Sequence, residues 1–75
     1  MRAISPGQHV VWLYRPRTQR HKVYLVDAEI VQVSTLRTRI RIKTTSGQTC
    51  LRWVKSSNLR AKAPGEPPYF YPESC

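Results

Sequence analysis

The sequence predicts an all-β fold: a small five-stranded barrel with one 3-10 turn before its last strand and an extended C-terminal tail. Three observations carry this expectation. Short β-branched and aromatic runs recur between Gly, Pro and polar turn segments. One stretch, RTRIRIKTT (Arg37 to Thr45), places a cation at every second position, the period of a strand with one buried face. No segment spaces its apolar residues as a helix would. Seventy-five residues make one small domain. A chain of this size withdraws only about 60% of its unfolded surface from water, so every large apolar side chain counts.

The elements follow in order. Pro6-Gly7 marks a turn, and HVVWLY (His9 to Tyr14), bounded by Pro16, reads as the first strand. RPRTQRHK (Arg15 to Lys22) is polar and basic, hence a loop. VYLV resumes at Val23 and AEIVQV (Ala28 to Val33) continues it as a second strand, bent near Asp27. STLR connects to the strand beginning at Arg37. Ser46-Gly47 then offers a two-residue hairpin turn, because glycine accepts the positive φ that such turns demand. That turn sets Ile42 opposite Leu51, Arg41 opposite Arg52 and Ile40 opposite Trp53. In this register Ile40, Ile42, Leu51 and Trp53 share the core side, and Arg39, Arg41, Lys43, Cys50 and Arg52 share the other. Lys55 to Leu59 reads as a single helical turn capped by Ser56 or Ser57, with Leu59 returning to the core. A closing strand runs from Arg60 to Lys62. The domain is therefore placed at residues 1–62. Residues 63–75, APGEPPYFYPESC, hold four of the six prolines and form the tail.

PGQHVVWLYRPR, followed by a loop and AEIVQV, resembles the opening of the SH3-like barrels, which include the KOW and Tudor modules and the PsaE subunit of photosystem I. There, too, a V-x-x-L-x-R-P strand, here Val10, Leu13, Arg15 and Pro16, leads into a long loop. The pattern from Pro6 to Leu59 is also similar to a set of short basic cyanobacterial proteins. The resemblance implies the barrel fold and, through PsaE, an accessory subunit that docks an acidic protein or sits in a larger complex. It brings no catalytic motif.

Charge carries most of the functional information. The chain has 13 Lys and Arg against 4 Asp and Glu, a formal charge of +9. All 13 cations precede residue 63, together with only Asp27 and Glu29, whereas the tail holds Glu66 and Glu73. A small domain this basic attracts polyanions. Within the ladder, Arg37, Arg39, Arg41 and Lys43 stand about 6.7 Å apart on one side of a strand, where neighbours repel by roughly 0.6 kcal/mol even at water's dielectric constant. A mixed-sign face would be more stable and equally soluble. The arrangement is better explained by a partner that supplies negative charge. Arginine also favours phosphate, which its planar fork binds bidentately.

The expected function is a non-catalytic nucleic-acid-binding module. Its candidate contacts are Arg37, Arg39, Arg41, Lys43 and Arg52, with Arg15, Arg17, Arg20 and Lys22 of the first loop completing a basic groove. RNA or single strands are favoured over duplex DNA, since nothing supplies a helix for the major groove. Tyr14 and Tyr24 are candidate stacking platforms, while Trp12 and Trp53 are assigned to the core. The tail aromatics Tyr69, Phe70 and Tyr71 either dock a partner in extended form or fold back on the barrel. Peptide recognition in the SH3 manner is disfavoured, because the loop that would need acids is basic. Asp27 and Glu29 are read as internal partners for the arginines.

No enzyme, cofactor, metal or small-molecule substrate is expected. His9 and His21 have no partners at ligand spacing, and the two cysteines lie 25 positions apart. Phosphate-binding glycine motifs are missing. So few cysteines in so small a chain point to a reducing cytoplasm, with Cys50 and Cys75 unpaired. No apolar run approaches the roughly 18 residues of a membrane span, and MRAISPGQ lacks a signal-peptide core. A soluble, unprocessed protein without membrane partners is expected.

Overall fold

Short runs rich in β-branched and aromatic residues shape the strands. In the computed structural model, which describes residues 4–19 and 21–75, they form β1 (His9–Tyr14), β2 (Tyr24–Val33), β3 (Arg37–Lys43), β4 (Thr49–Lys55) and β5 (Leu59–Ala61). One antiparallel sheet results, in the order β4-β3-β2-β1-β5. A 3-10 turn, Ser56–Asn58, carries the chain from β4 at one edge to β5 at the other. No described residue lies in an α-helix, and no helix among the described residues is long and apolar enough to cross a membrane.

The fold is all-β, as expected, but the barrel is not closed. β5 has three residues, all of them needed to pair with β1, and β4 makes no ladder with it. The concave face gathers Val10, Trp12, Val26, Ala28, Ile30, Ile40, Ile42, Cys50 and Val54, with Leu59 packed against them. At about 1.5–3 kcal/mol for each fully buried aliphatic side chain, this layer is the main driving force of the fold. β2 bends at a bulge between Ile30 and Gln32, not at Asp27. The extra residue keeps Ile30 inward and the strand twisting. Neither serine caps the 3-10 turn with its side chain; Ser56 Oγ instead bonds the buried Thr38 Oγ1 at 2.7 Å.

The β3–β4 hairpin departs most from expectation. Its loop holds three residues, not two. Thr44 N donates to Gln48 O at 2.8 Å, Gly47 N donates to Thr44 O at 3.0 Å, and Gly47 takes φ +93°. This is a tight turn followed by a left-handed glycine, the usual three-residue solution. Thr44 Oγ1, buried beneath it, accepts from Gln48 N and bonds Ser46 Oγ, so the loop holds its own polar groups. One added residue shifts every pair: Ile42 faces Cys50, Arg41 faces Leu51, Ile40 faces Arg52 and Arg39 faces Trp53. Since side chains alternate, the shift inverts β4. Cys50 and Val54 enter the core, while Leu51 and Trp53 are turned out, 47% and 45% exposed. Trp53 is therefore not a core residue, and Arg52 does not belong to the ladder side.

The tail folds back along the sheet. Beyond Ala28 and Ile42, β2 and β3 separate, and the tail enters the gap: Asp27 N donates to Tyr69 O at 2.9 Å, Tyr71 N to Lys43 O at 2.9 Å, and Thr45 N to Tyr71 O at 3.2 Å. Tyr71 enters the core, 3% exposed, with its ring stacked on Trp12 at 5.8 Å between centroids. Cys75 closes the path with a disulfide to Cys50, Cα–Cα 5.7 Å, where the sequence suggested free thiols. The tail brings together two residues far apart in the chain, a proximity that spacing alone does not show.

Candidate nucleic-acid interface

The outward side of β3 carries Arg37, Arg39, Arg41 and Lys43, the predicted row. Across the ladder stand Lys55, Trp53, Leu51 and Thr49, in that order. The convex face of the hairpin thus combines five cations with two exposed apolar side chains. Leaving Leu51 and Trp53 half in water forgoes on the order of 1 kcal/mol each. Sequence reasoning missed Leu51, Trp53 and Lys55 as surface residues. The signal was the loop Thr45-Ser46-Gly47, whose glycine also suits the left-handed last position of a three-residue connection.

Glu29 neutralises one member of the row. Its Oε1 accepts from Arg41 Nη1 at 2.8 Å, with both side chains well exposed. Such a surface pair contributes at most about 1 kcal/mol and yields readily to a better anion. Among the described residues, Arg37, Arg39, Lys43 and Lys55 have no carboxylate partner. Asp27 is taken by Lys62 Nζ at 2.8 Å, beside the fully buried Val11 on the outer side of β1. Lys62 and Asp27 thereby neutralise each other beside β1, away from the β3–β4 row.

The remaining predicted residues lie elsewhere. Arg52, on the concave side, sits 5.4 Å from the centre of the Tyr71 ring, a cation–π arrangement. Arg15, Arg17 and Lys22 are exposed in the β1–β2 loop, at the end of the sheet where Lys43 lies and opposite to Arg37. Arg20 falls outside the described residues. Tyr14 and Tyr24 are half-buried in an aromatic cluster with Trp12 and Tyr71, at ring separations of 5.0–6.2 Å. Tyr14 also donates to Glu73 Oε2 at 2.6 Å. Burial, then this bond, pushes its hydroxyl well above the ordinary tyrosine value. Of the tail aromatics, Tyr71 is consumed by the core, Tyr69 bonds Glu66, and Phe70 remains exposed. A recess of about 700 Å³, lined by Ile4, Val10, Val33, Leu59 and Arg60 among others, lies away from the ladder.

No protein-family model, curated protein or solved structure matches this chain. Functional inference therefore starts from the face itself.

Proposed function

We propose that the protein is a non-catalytic nucleic-acid-binding module that engages phosphates through Arg37, Arg39, Arg41 and Lys43. One observation carries this reading: like charges repeat along the outward side of β3, and of these four only Arg41 has a carboxylate beside it among the described residues. A polyanion relieves that repulsion, and guanidinium forks suit its phosphates. The loop cations Arg15, Arg17 and Lys22 extend the positive field beyond the Lys43 end. Arg52 takes no part, because it faces the concave side. The SH3-like resemblance belongs to this proposal, supported by the strand order and by the 3-10 turn before β5. So does a cytoplasmic location, which thiol titration in cell extract tests directly, since a reducing compartment opposes the Cys50–Cys75 bond.

A salt-titrated binding assay on single-stranded and duplex oligonucleotides tests the reading. With about five phosphates neutralised on a single strand, affinity falls on the order of 100-fold between 50 and 200 mM salt. The double reversal Arg37→Glu, Arg39→Glu abolishes binding while the circular dichroism spectrum is retained. Undiminished binding by the folded double variant refutes the proposal. Docking of an acidic protein is the competing reading, and recovery of a nuclease-resistant protein complex from native lysate favours it.

A further inference from the structure

The hairpin register places an indole where a phosphate-only surface needs none. Trp53 stands directly opposite Arg39, and Leu51 directly opposite Arg41, on the same open face. Both are roughly half exposed, although buried core positions exist on the same strand at Cys50 and Val54. Cross-strand neighbours of this kind lie about 5 Å apart, within one nucleotide's reach of each other. Along β3 the cations recur every 6.7 Å or so, and Arg37 to Lys43 spans about 20 Å. This spacing is of the same order as the phosphate repeat of an extended single strand.

Resting on the phosphate-binding reading, we infer that the face takes single-stranded nucleic acid of about four nucleotides, with the backbone along β3 and an unpaired base stacked on Trp53. Leu51 supports the neighbouring base, and Lys55 closes the Arg37 end of the track. A duplex hides its base faces within the stack and presents only phosphates. Trp53 therefore contributes to single-strand binding and not to duplex binding. Charge complementarity supports a polyanion here: four of the five cations on the face have no carboxylate among the described residues, and Trp53 and Leu51 flank the β3 row from the edge strand β4.

The experiment measures binding of the full chain to oligo(dT), oligo(rU), a blunt duplex and polyglutamate, each across a salt series. Trp53→Ala is expected to weaken both single strands by about 10- to 100-fold with an unchanged salt slope, because stacking releases no counterions. Trp53→Phe restores most of the loss, and duplex affinity does not move. Trp53 fluorescence, read in a Trp12→Phe background, is quenched by the single strands alone. The inference is overturned by unchanged single-strand binding of Trp53→Ala, by an equal loss on duplex, or by polyglutamate binding as tightly as oligo(dT). Failure here while Arg37→Glu, Arg39→Glu still abolishes binding leaves phosphate recognition standing and removes only the stacked base. Failure of the wild type to bind any nucleic acid removes both.

Discussion

Glu66 illustrates how one side chain organises the tail. Its carboxylate accepts from Arg60 Nη1 and Nη2 at 2.9 and 2.7 Å, from Ala63 N at 2.7 Å and from Tyr69 Oη at 3.0 Å. Chiefly the Arg60 bonds, then the Ala63 amide, hold its pKa down at about 2. The same bond to Glu66 raises the Tyr69 hydroxyl. The linkage has a definite sign. The ionised form is favoured by folding, so its contribution is complete above the ordinary value of 4.5 and disappears as pH falls through about 2. Tail protection, followed by hydrogen exchange at the Tyr71 amide, should decline between these values. Glu66→Gln removes that part of the pH dependence while weakening the tail at neutral pH. An unchanged profile in Glu66→Gln would exclude Glu66 as the source of the decline.

At the scale of elements, the Thr45-Ser46-Gly47 loop decides which side of β4 faces water. Gly47 needs its left-handed φ of +93°, and no atom lies within 4 Å of where a Cβ would stand. Strain is thus the whole effect of a substitution. Gly47→Ala should cost about 1–2 kcal/mol and Gly47→Asn less, since asparagine tolerates this region. Urea midpoints with an unchanged m-value check both. Equal losses for Ala and Asn would mean that something other than backbone conformation holds the turn.

For the whole molecule, the tail and its disulfide compensate for an open sheet. Cys50 and Cys75 are separated by 25 residues. Closing a loop of that length stabilises the folded state by about 3–4 kcal/mol in the chain-entropy account. Cys75→Ser should lower the thermal midpoint by more than 10 °C, since 1 kcal/mol moves a domain of this size by about 4–8 °C. Calorimetry of the variant measures this. Oligonucleotide affinity at 10 °C should be retained, because Arg37, Arg39, Arg41 and Trp53 stand on the side of the hairpin opposite to Cys50 and its disulfide. Lost binding by a folded Cys75→Ser protein would make the tail part of the interface.

Strand positions, the ladder's outward row and the 3-10 turn were legible in the sequence because they follow from local rules: alternation, turn residues and like-charge spacing. Trp12 was placed correctly in the core, where it packs with Val10 and Tyr14. By itself the sequence determined that β3 has one apolar and one cationic side. Only the tertiary structure decided what accompanies the cations. One loop residue more or less exchanges Cys50 and Val54 for Leu51 and Trp53, and hydrophobic pattern alone favours burying the latter pair, because the other face carries Arg52. The tail offsets that preference: Tyr71 enters the core beside Arg52 and Cys75 reaches Cys50, both long-range contacts. A period-two pattern fixes which residues travel together, but the choice of face depends on what packs against it.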